Sequence, residues 1–578
     1  LRYKKDGRWV ALTGAQLLEE VRALALGLYS LGVRKGDRVA ILAESGPLWT
    51  ISDYAILANG AINVPIYPTQ AVEQVEYILR EAEPKLFLIS NARQASRISC
   101  VLKGMADLPI VSFQTIPNLE NAMSLEEVSS RGARLVDRNP QLFDAISSEV
   151  KPADLASIVY TSGTTGEPKG AMLTHSNLVF NAIASGEYLE IEPGNLMLSY
   201  LPLSHIFERT VLYLCLYFGV QINYASGLDT IASDLLEVRP TLMSTVPRLL
   251  ERVYARMQKR AFEGGPIRQK IFQWSVGVAR RSAELELAGK PTPPLLELQR
   301  QMADLIVLAR LRKALGGRIK RMVSGGAALS PDLALLFNGA GIPLLEGYGL
   351  TETSPVISVN TLRHNKIGTV GRPIPGVQVK IAQDGEILTS GPHVFQGYFK
   401  KPEETEAAFT MDENTIKWFK TGDVGRIDED GFLIITDRKK DLIKTSAGKY
   451  VAPQAIEARL CQSEFIEQAV VVGNDRKYVS ALIVPDFERL RAWAAEQYIE
   501  FQTAQELIEH PKVIQKMKSE VNRLTSNLAD HEKVKRIALL PSQFTIEGGE
   551  LTPTLKVRRR FVEKKYGALI ESLYSGGE

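Results

Sequence analysis

The chain has 578 residues, too many for one hydrophobic core, and its 45% apolar and 23% charged residues are those of an ordinary globular protein. A net charge of +3 argues against a protein built mainly to bind nucleic acid, and leaves room for weak attraction to anionic ligands or membranes. Cys100, Cys215 and Cys461 are odd in number, far apart and form no CxxC pair, which argues against a disulfide framework or a cysteine metal site. Isolated thiols in a reducing cytoplasm are expected. No signal peptide pattern opens the chain; residue 1 falls inside a strand pattern, so sequence before Leu1 is expected.

The first part alternates helical and strand patterns. Residues 12–31 carry apolar side chains at helical spacing up to Gly32. Residues 38–43 (RVAILA) and 61–66 read as strands on either side of a helical stretch at 48–60. Residues 72–83 read helical and 85–90 (KLFLIS) as a strand. Such alternation predicts an α/β fold of largely parallel sheets covered by helices. The apolar run 211–220 is far shorter than the ~20 residues a bilayer span needs, and predicts a buried helix. From 248 to 318 the texture turns helical and rich in Arg, Lys, Glu, Gln, Ala and Leu, with helical spacing at 249–260 and 295–315, interrupted by Pro291, Pro293 and Pro294. This predicts a helical insertion on the surface of the large domain.

Gly and Pro become frequent from 368 to 397, where short β-like segments suggest a small barrel or meander. Asp428, Glu429, Asp430 and Gly431 mark a turn between strand patterns at 424–427 and 432–436. A charged run at 437–441 (DRKKD) marks a change of character. After it come a helix at 453–460, strands at 469–472 and 480–485, and a long helical stretch through Leu528. The expected division is a large domain over 1–437 and an α+β domain over 438–578.

One loop stands out. After the apolar strand 156–160 comes the string TSGTTGEPKG at 161–170. Thr161, Ser162, Thr164 and Thr165 supply hydroxyls, Gly163, Gly166 and Gly170 free the backbone N–H groups to turn inward, and Lys169 adds positive charge. That chemistry suits phosphates, although no Gly-Lys-Ser/Thr closes the loop as in a Walker A motif. The order of residues resembles the signature loop of the adenylate-forming superfamily. Acyl-CoA synthetases, luciferases and the adenylation domains of peptide synthetases belong to it.

Further stretches resemble the motifs of that superfamily and occur in its order. The segment 324–329 (SGGAAL) is similar to the one along adenine, which implies nucleotide contacts for Gly325, Gly326 and Ala327. The segment 346–352 (EGYGLTE) resembles the YGxTE motif. There Glu346, Gly347, Tyr348 and Gly349 flank the nucleotide, Thr351 approaches the α-phosphate, and Glu352 binds Mg²⁺ together with Thr161. The segment 418–426 (WFKTGDVGR) implies Asp423 as acceptor for the ribose hydroxyls. DRKK at 437–440 implies Arg438 on the ribose and Lys440 as an interdomain hinge. The segment 446–453 (SAGKYVAP) implies a thiol tunnel lined by Ser446, Ala447, Gly448 and Lys449. The segment 549–559 (GELTPTLKVRR) implies Lys556 as the catalytic lysine, carried on a mobile C-terminal domain that turns about the hinge between half-reactions.

The resemblance therefore implies a carboxylate activated by ATP and then passed to a thiol, with Mg²⁺ as cofactor and CoA as co-substrate. LPLSHIFER at 201–209 resembles the motif flanking the acyl site, with His205 near the substrate carboxylate. With the helical insertion and LTPTLKVRR, it looks most like the long-chain fatty acyl-CoA synthetases. Phe180, Asn181, Thr245 and Pro247 are candidates to line the acyl tunnel. Arg558, Arg559 and Arg560 are candidates for the CoA phosphates, beside the plainer reading of a solvated basic patch. An acyl carrier protein as acceptor, a fatty acyl-AMP ligase, a silent nucleotide- or lipid-binding relative, a homodimer and peripheral membrane contact stay open. A serine hydrolase and a dinucleotide oxidoreductase are poor rivals, since neither GxSxG nor a GxGxxG opening a βαβ unit occurs.

Overall fold

The structure is a computed structural model. It describes all residues except 117, 118, 120, 121, 163–166, 228, 440, 447, 448, 546, 547, 553–556 and 576–578, and of Ser162 the backbone alone. The chain divides into two compact units. The first holds 1–380, 388–421 and 427–434; the second holds 381–387, 422–426 and 435–578.

The first unit is built on two large sheets. In one, eight strands run in the order Gly397–Tyr398, Pro168–Thr174, Leu155–Ser162, Ile62–Ile66, Arg38–Leu42, Leu86–Ile89, Ile110–Ser112 and Ala122–Ser124. From Leu155–Ser162 onward all neighbours are parallel. After Arg38 the run is apolar at every position, 39–43 (VAILA), because both faces of this sheet are covered. Val39 and Ile41 enter one core, and Ala40 and Leu42 enter another on the opposite face.

The second sheet has nine strands, with a parallel centre formed by Leu344–Gly349, Arg321–Ser324, Leu242–Thr245, Leu196–Ser199 and Gln221–Tyr224. One apolar core joins the two sheets. It takes Val39 and Ile41 from the first, Met197 and Ile222 from the second, and Trp49, Leu178 and Leu212 from helices packed against them. Helix Ile206–Tyr217 belongs to this core, and half of the apolar run at 211–220 is buried, residues 212–215 and Val220, while Tyr217 is exposed. Among the described residues no helix is long and apolar enough to cross a membrane.

The basic stretch after Thr245 forms helices Pro247–Glu263 and Pro266–Leu287. Helix Pro294–Ala303 follows and continues through a π-helical turn, Asp304–Leu308, into Ala309–Ala314. The prolines named above fall in the connection before Pro294 and at its first turn, where a missing N–H costs nothing. The β-like segments of the Gly/Pro-rich stretch, Gln378–Ile381 and Glu386–Ser390, are neighbours in a separate five-stranded sheet, as expected of a small β unit. The short strands that flank them go elsewhere: Arg372–Pro373 joins the nine-stranded sheet and Gly397–Tyr398 the eight-stranded one.

In the second unit Ile466–Val472 pairs antiparallel with Ser480–Pro485, which pairs parallel with Arg536–Leu539. The long helical stretch expected here is three helices, Phe487–Glu496, Ala504–Glu509 and Pro511–Thr525. Thr503 and His510 cap the second and third with side-chain acceptors, and Pro511 sits where only a new helix tolerates it.

Candidate active site

The phosphate string lies on a hairpin of the first unit, Leu155–Ser162 and Pro168–Thr174. Its register pairs Thr161 with Lys169 and Ser162 with Pro168, and the Thr161 hydroxyl donates to the Lys169 carbonyl at 3.4 Å. Gly163, Thr164, Thr165 and Gly166 lie outside the described residues. The ammonium of Lys169 stands 5.4 Å from the ring centroid of Tyr398 and 4.0 Å from Glu404 Oε1.

Tyr398 reaches this place through the sheet. Strand Gly397–Tyr398 pairs with the second strand of the hairpin, Tyr398 opposite Ala171. Its phenol donates a 2.9 Å hydrogen bond to Glu352 Oε1. Burial and the Glu352 charge push the phenol's pKa up, so it remains a donor. Tyr398 therefore ties Glu352 to the Lys169 strand. Sequence reasoning missed it, because its signal is only a Gly-Tyr pair closing a Gly-rich stretch.

The loop that presents Thr351 and Glu352 is tightly held. A Cβ at Gly349 would lie 1.7 Å from the Pro355 carbonyl oxygen, so the position admits only glycine. The chain then enters a 3₁₀ turn, Thr351–Thr353. Glu352 is 9% exposed, and its carbonyl accepts from Phe395 N–H at 2.9 Å. Buried Asn181 holds the far side: its amide donates to the carbonyls of Val356 (2.8 Å) and Thr353 (3.3 Å) and accepts from Val356 N–H. Offered above as a tunnel residue, Asn181 instead spends both ends of its amide on this loop.

Next to it, two parallel strands end side by side, with Ser324 in register with Glu346. Burial raises the Glu346 carboxyl to about 8, against one backbone N–H bond from Gly368. Ser324 Oγ and Glu346 Oε1 are buried and have no partner among the described residues. Buried polar atoms are normally satisfied, and carboxyl ends of parallel strands are where α/β sheets hold ligands. A Cβ on Gly325 would meet Phe207 Cζ at 3.4 Å and the Gly347 carbonyl at 3.7 Å. Both glycine segments and the start of helix Ile206–Tyr217 thus form one surface. Gly326 turns at φ +82°, which suits glycine, and Ala327 after it is exposed. Tyr348 lies on the strand opposite Ser358.

His205 is the N-cap of helix Ile206–Tyr217: Nδ1 accepts the Phe207 N–H at 3.1 Å, and the ring meets Tyr67 edge-on at 6.2 Å. The two residues that follow Phe207 lock this helix to both sheets. Glu208 is fully buried and accepts from Ser199 Oγ (2.5 Å) and Ser244 Oγ (2.6 Å) of the nine-stranded sheet. Burial lifts its carboxyl to about 7 against those two hydroxyls. Arg209, also fully buried, donates to Asp53 Oδ1 (2.5 Å) and Oδ2 (3.0 Å), to Tyr213, and to Ser157 of the eight-stranded sheet. The charged half of LPLSHIFER is thus a clamp between sheets, while His205 caps the helix beside Tyr67. Of the other tunnel candidates, Thr245 is buried and accepts from the Tyr200 hydroxyl at 2.9 Å, and Pro247 starts a helix.

In the second unit Arg438 Nε stands 3.2 Å from Asp423 Oδ1. The adjacent Lys439 bridges Asp384 (2.6 Å) and Glu386 (2.8 Å), and Glu386 also accepts the Gly422 N–H. Thr445, Ser446 and Lys449 lie in the turn of a hairpin formed by Ile443–Lys444 and Tyr450–Val451, where the Thr445 N–H donates to the Lys449 carbonyl. Lys440, Ala447, Gly448 and Lys556 lie outside the described residues. Leu551 and Val557 on either side of 553–556 form an antiparallel bridge. Arg559 is neither a solvated charge nor available to a ligand. Its guanidinium donates to Glu457 at 2.7 Å and to the Val471 carbonyl, inside the unit.

Among the described residues no cluster of three His, Cys, Asp or Glu stands ready for a metal. One carboxylate, Glu352, and one hydroxyl, Thr161, fit a hard cation that arrives with phosphate oxygens rather than an all-protein cage.

Residues 2–399 match the family profile described as AMP-binding enzyme, and 440–578 match the AMP-binding enzyme C-terminal domain. The chain belongs to the AMP-binding enzyme family. Similar members of the family cover its full length. Long-chain-fatty-acid--CoA ligase FadD15 of Mycobacterium bovis is 37% identical over 99% of this chain and 93% of its own. Long-chain-fatty-acid--CoA ligase ACSBG1 of Rattus norvegicus is 31% identical over 99% and 83%. The fold agrees with solved structures. The A-PCP didomain of carboxylic acid reductase from Segniliparus rugosus, in complex with AMP, superposes with a TM-score of 0.74 at 22% identity, covering 98% of this chain and 76% of that one.

Proposed function

We propose that this protein is an AMP-forming long-chain fatty acid–CoA ligase. The observation that carries the reading is 37% identity to a long-chain-fatty-acid--CoA ligase across 99% of the chain. The grouping of Tyr398 and Glu352 beside Lys169 of the hairpin supports it.

In the first half-reaction a fatty carboxylate oxygen attacks the α-phosphorus of ATP, the bond to the β-phosphate oxygen breaks, and pyrophosphate leaves. Both reactants are anions; two unit charges at 4 Å repel by about 4 kcal/mol at an effective dielectric of 20. Lys169 and Lys556 offset this repulsion, and Lys556 stabilises charge growing on the phosphoryl oxygens. Mg²⁺, held by Glu352 and Thr161 with the phosphates, supplies further neutralisation when bound. The buried Ser324 and Glu346 oxygens face the nucleotide, with Gly325, Gly326, Ala327 and Tyr348 along its base, Thr351 near the α-phosphate, and Asp423 and Arg438 on the ribose. His205 orients the carboxylate. In the second half-reaction the CoA thiol attacks the acyl carbonyl, the carbon–oxygen bond to AMP breaks, and the thioester forms. Ser446, Ala447, Gly448 and Lys449 line the path of the thiol, and Lys440 is the pivot that clears Lys556 from it.

The test is an acid panel with ATP, Mg²⁺ and CoA, scored by thioester mass. Long-chain thioesters, with none from aryl or amino acids, are expected. Adenylate without thioester would make the protein a fatty acyl-AMP ligase or one that loads a carrier protein, and absence of pyrophosphate with every acid would make it a silent relative.

A further inference from the structure

Residues 247–318 stand apart in charge. They hold fifteen Lys and Arg against six Asp and Glu, a net of +9 in a chain whose total is +3, so the remaining residues carry −6. Two of the six carboxylates are already bound within the segment, Glu297 by Arg300 at 2.8 Å and Asp304 by Arg312 at 2.5 Å.

The same segment turns apolar side chains outward. Helix Pro294–Ala303 and the π turn after it expose Leu295 (68%), Leu298 (56%), Met302 (50%), Leu305 (81%) and Ile306 (39%). Leu295, Leu298, Met302 and Leu305 follow at three, four and three residues, and Ile306 lies four after Met302, so the five form one continuous helical face. The inward face is already filled by Leu296, Ala303, Val307 and Leu308, so the stripe is not a core face out of place. Helix Pro266–Leu287 packs alongside and exposes Ile267, Lys270, Trp274 and Arg281, again at helical spacing, and Arg310 and Lys313 are exposed just beyond the stripe. Single exposed leucines are ordinary on a protein surface, but a stripe of five rimmed by cations is not.

We propose that the helical face of residues 266–313 docks the enzyme on an anionic lipid bilayer. Leu295, Leu298, Met302, Leu305 and Ile306 seat at the boundary of headgroups and acyl chains, Trp274 lies at the same level, and the Lys and Arg heads meet lipid phosphates. Charge decides against a second copy of the chain as the occupant: 266–313 holds nine Lys and Arg against four Asp and Glu, so that pairing would press a net +5 against +5. The placement also suits a substrate that partitions into bilayers, but the docking does not depend on the ligase reading, and its test reads binding rather than turnover.

The full chain is sedimented with phosphatidylcholine vesicles and with equimolar phosphatidylcholine and phosphatidylglycerol vesicles, and with free inorganic phosphate as competitor. Binding to the anionic vesicles is expected, weak on the neutral ones, reduced at about 0.5 M salt and resistant to millimolar phosphate. Leu298→Asp with Leu305→Asp is expected to weaken it at least about tenfold, with an unchanged thermal midpoint and unchanged thioester formation from a water-soluble medium-chain acid. Should that variant misfold, Lys270→Glu with Arg281→Glu and Arg310→Glu reads the same surface through charge. Failure to bind anionic vesicles overturns the proposal, as does equal binding by the correctly folded variants. So does light scattering that shows the wild type dimeric and the apolar variant monomeric while neither binds vesicles.

Discussion

The phenol of Tyr398 donates a 2.9 Å hydrogen bond to Oε1 of Glu352, across 46 residues of chain. The same ring lies 5.4 Å from the ammonium of Lys169. The bond fixes one carboxylate oxygen and leaves the other for a cation, so its loss should act on metal-dependent nucleotide binding before it acts on chemistry.

Tyr398→Phe removes the donor and keeps the ring. A hydrogen bond to a charged group contributes about 1.5–3 kcal/mol, which corresponds to a loss of roughly ten- to hundredfold in kcat/KM for ATP at limiting Mg²⁺. Pyrophosphate release measured across a Mg²⁺ series checks this. An unchanged Mg²⁺ dependence would mean that Tyr398 does not set the geometry of Glu352.

Lys556→Ala should abolish adenylate formation, by about 10²–10³ or more, yet spare thioester formation from supplied acyl-AMP. Single-turnover assays of the two half-reactions separate these outcomes. Equal loss in both would reject Lys556 as the lysine of the first step.

Lys440→Pro should show the reverse pattern, because a ring that locks φ impairs a pivot. Adenylate formation should persist while thioester turnover falls. Full thioester turnover in this variant would count against a hinge at this position.

Glu208 gives a pH dependence of stability with a definite sign. Its folded carboxyl is raised to about 7 from an ordinary 4.5. The contribution of the neutral acid is therefore complete below about pH 4.5 and is lost as pH rises through about 7. Glu208→Gln keeps a neutral partner for Ser199 and Ser244, so its unfolding midpoint relative to wild type should rise between pH 5 and pH 8. Parallel midpoints across that range would show that Glu208 is not the titrating group.

Arg209→Met should destabilise the first unit by about 3–5 kcal/mol, since it leaves the buried Asp53 carboxylate without its cation. Adding Asp53→Leu should recover much of that loss, as an apolar pair needs no compensation. Urea unfolding of the single and double variants measures both; an additive double variant would rule out the pairing as the cause.

Much of this protein was legible without coordinates. Strict order of short motifs carried the family, and apolar runs such as 39–43 (VAILA) carried the parallel sheets, because a strand covered on both faces is apolar on both. The helix at 453–460 and the strand at 480–485 follow from the same local rules of periodicity and punctuation. These features depend on neighbours a few residues away, and a linear string contains them.

Tertiary structure decided which polar residues serve the scaffold. Within LPLSHIFER, Glu208 and Arg209 turned out to clamp two sheets, because Ser199, Ser244, Asp53 and Ser157 come from distant strands and helices. Asn181 and Arg559, both candidates for ligand contact, are consumed by backbone and carboxylate partners inside the fold. Tyr398 was silent in the sequence and gained its place only when strand Gly397–Tyr398 paired beside Ala171. Burying a charge or an amide requires partners, and those partners are set by which strands and helices lie side by side, a matter of long-range pairing that local sequence does not encode.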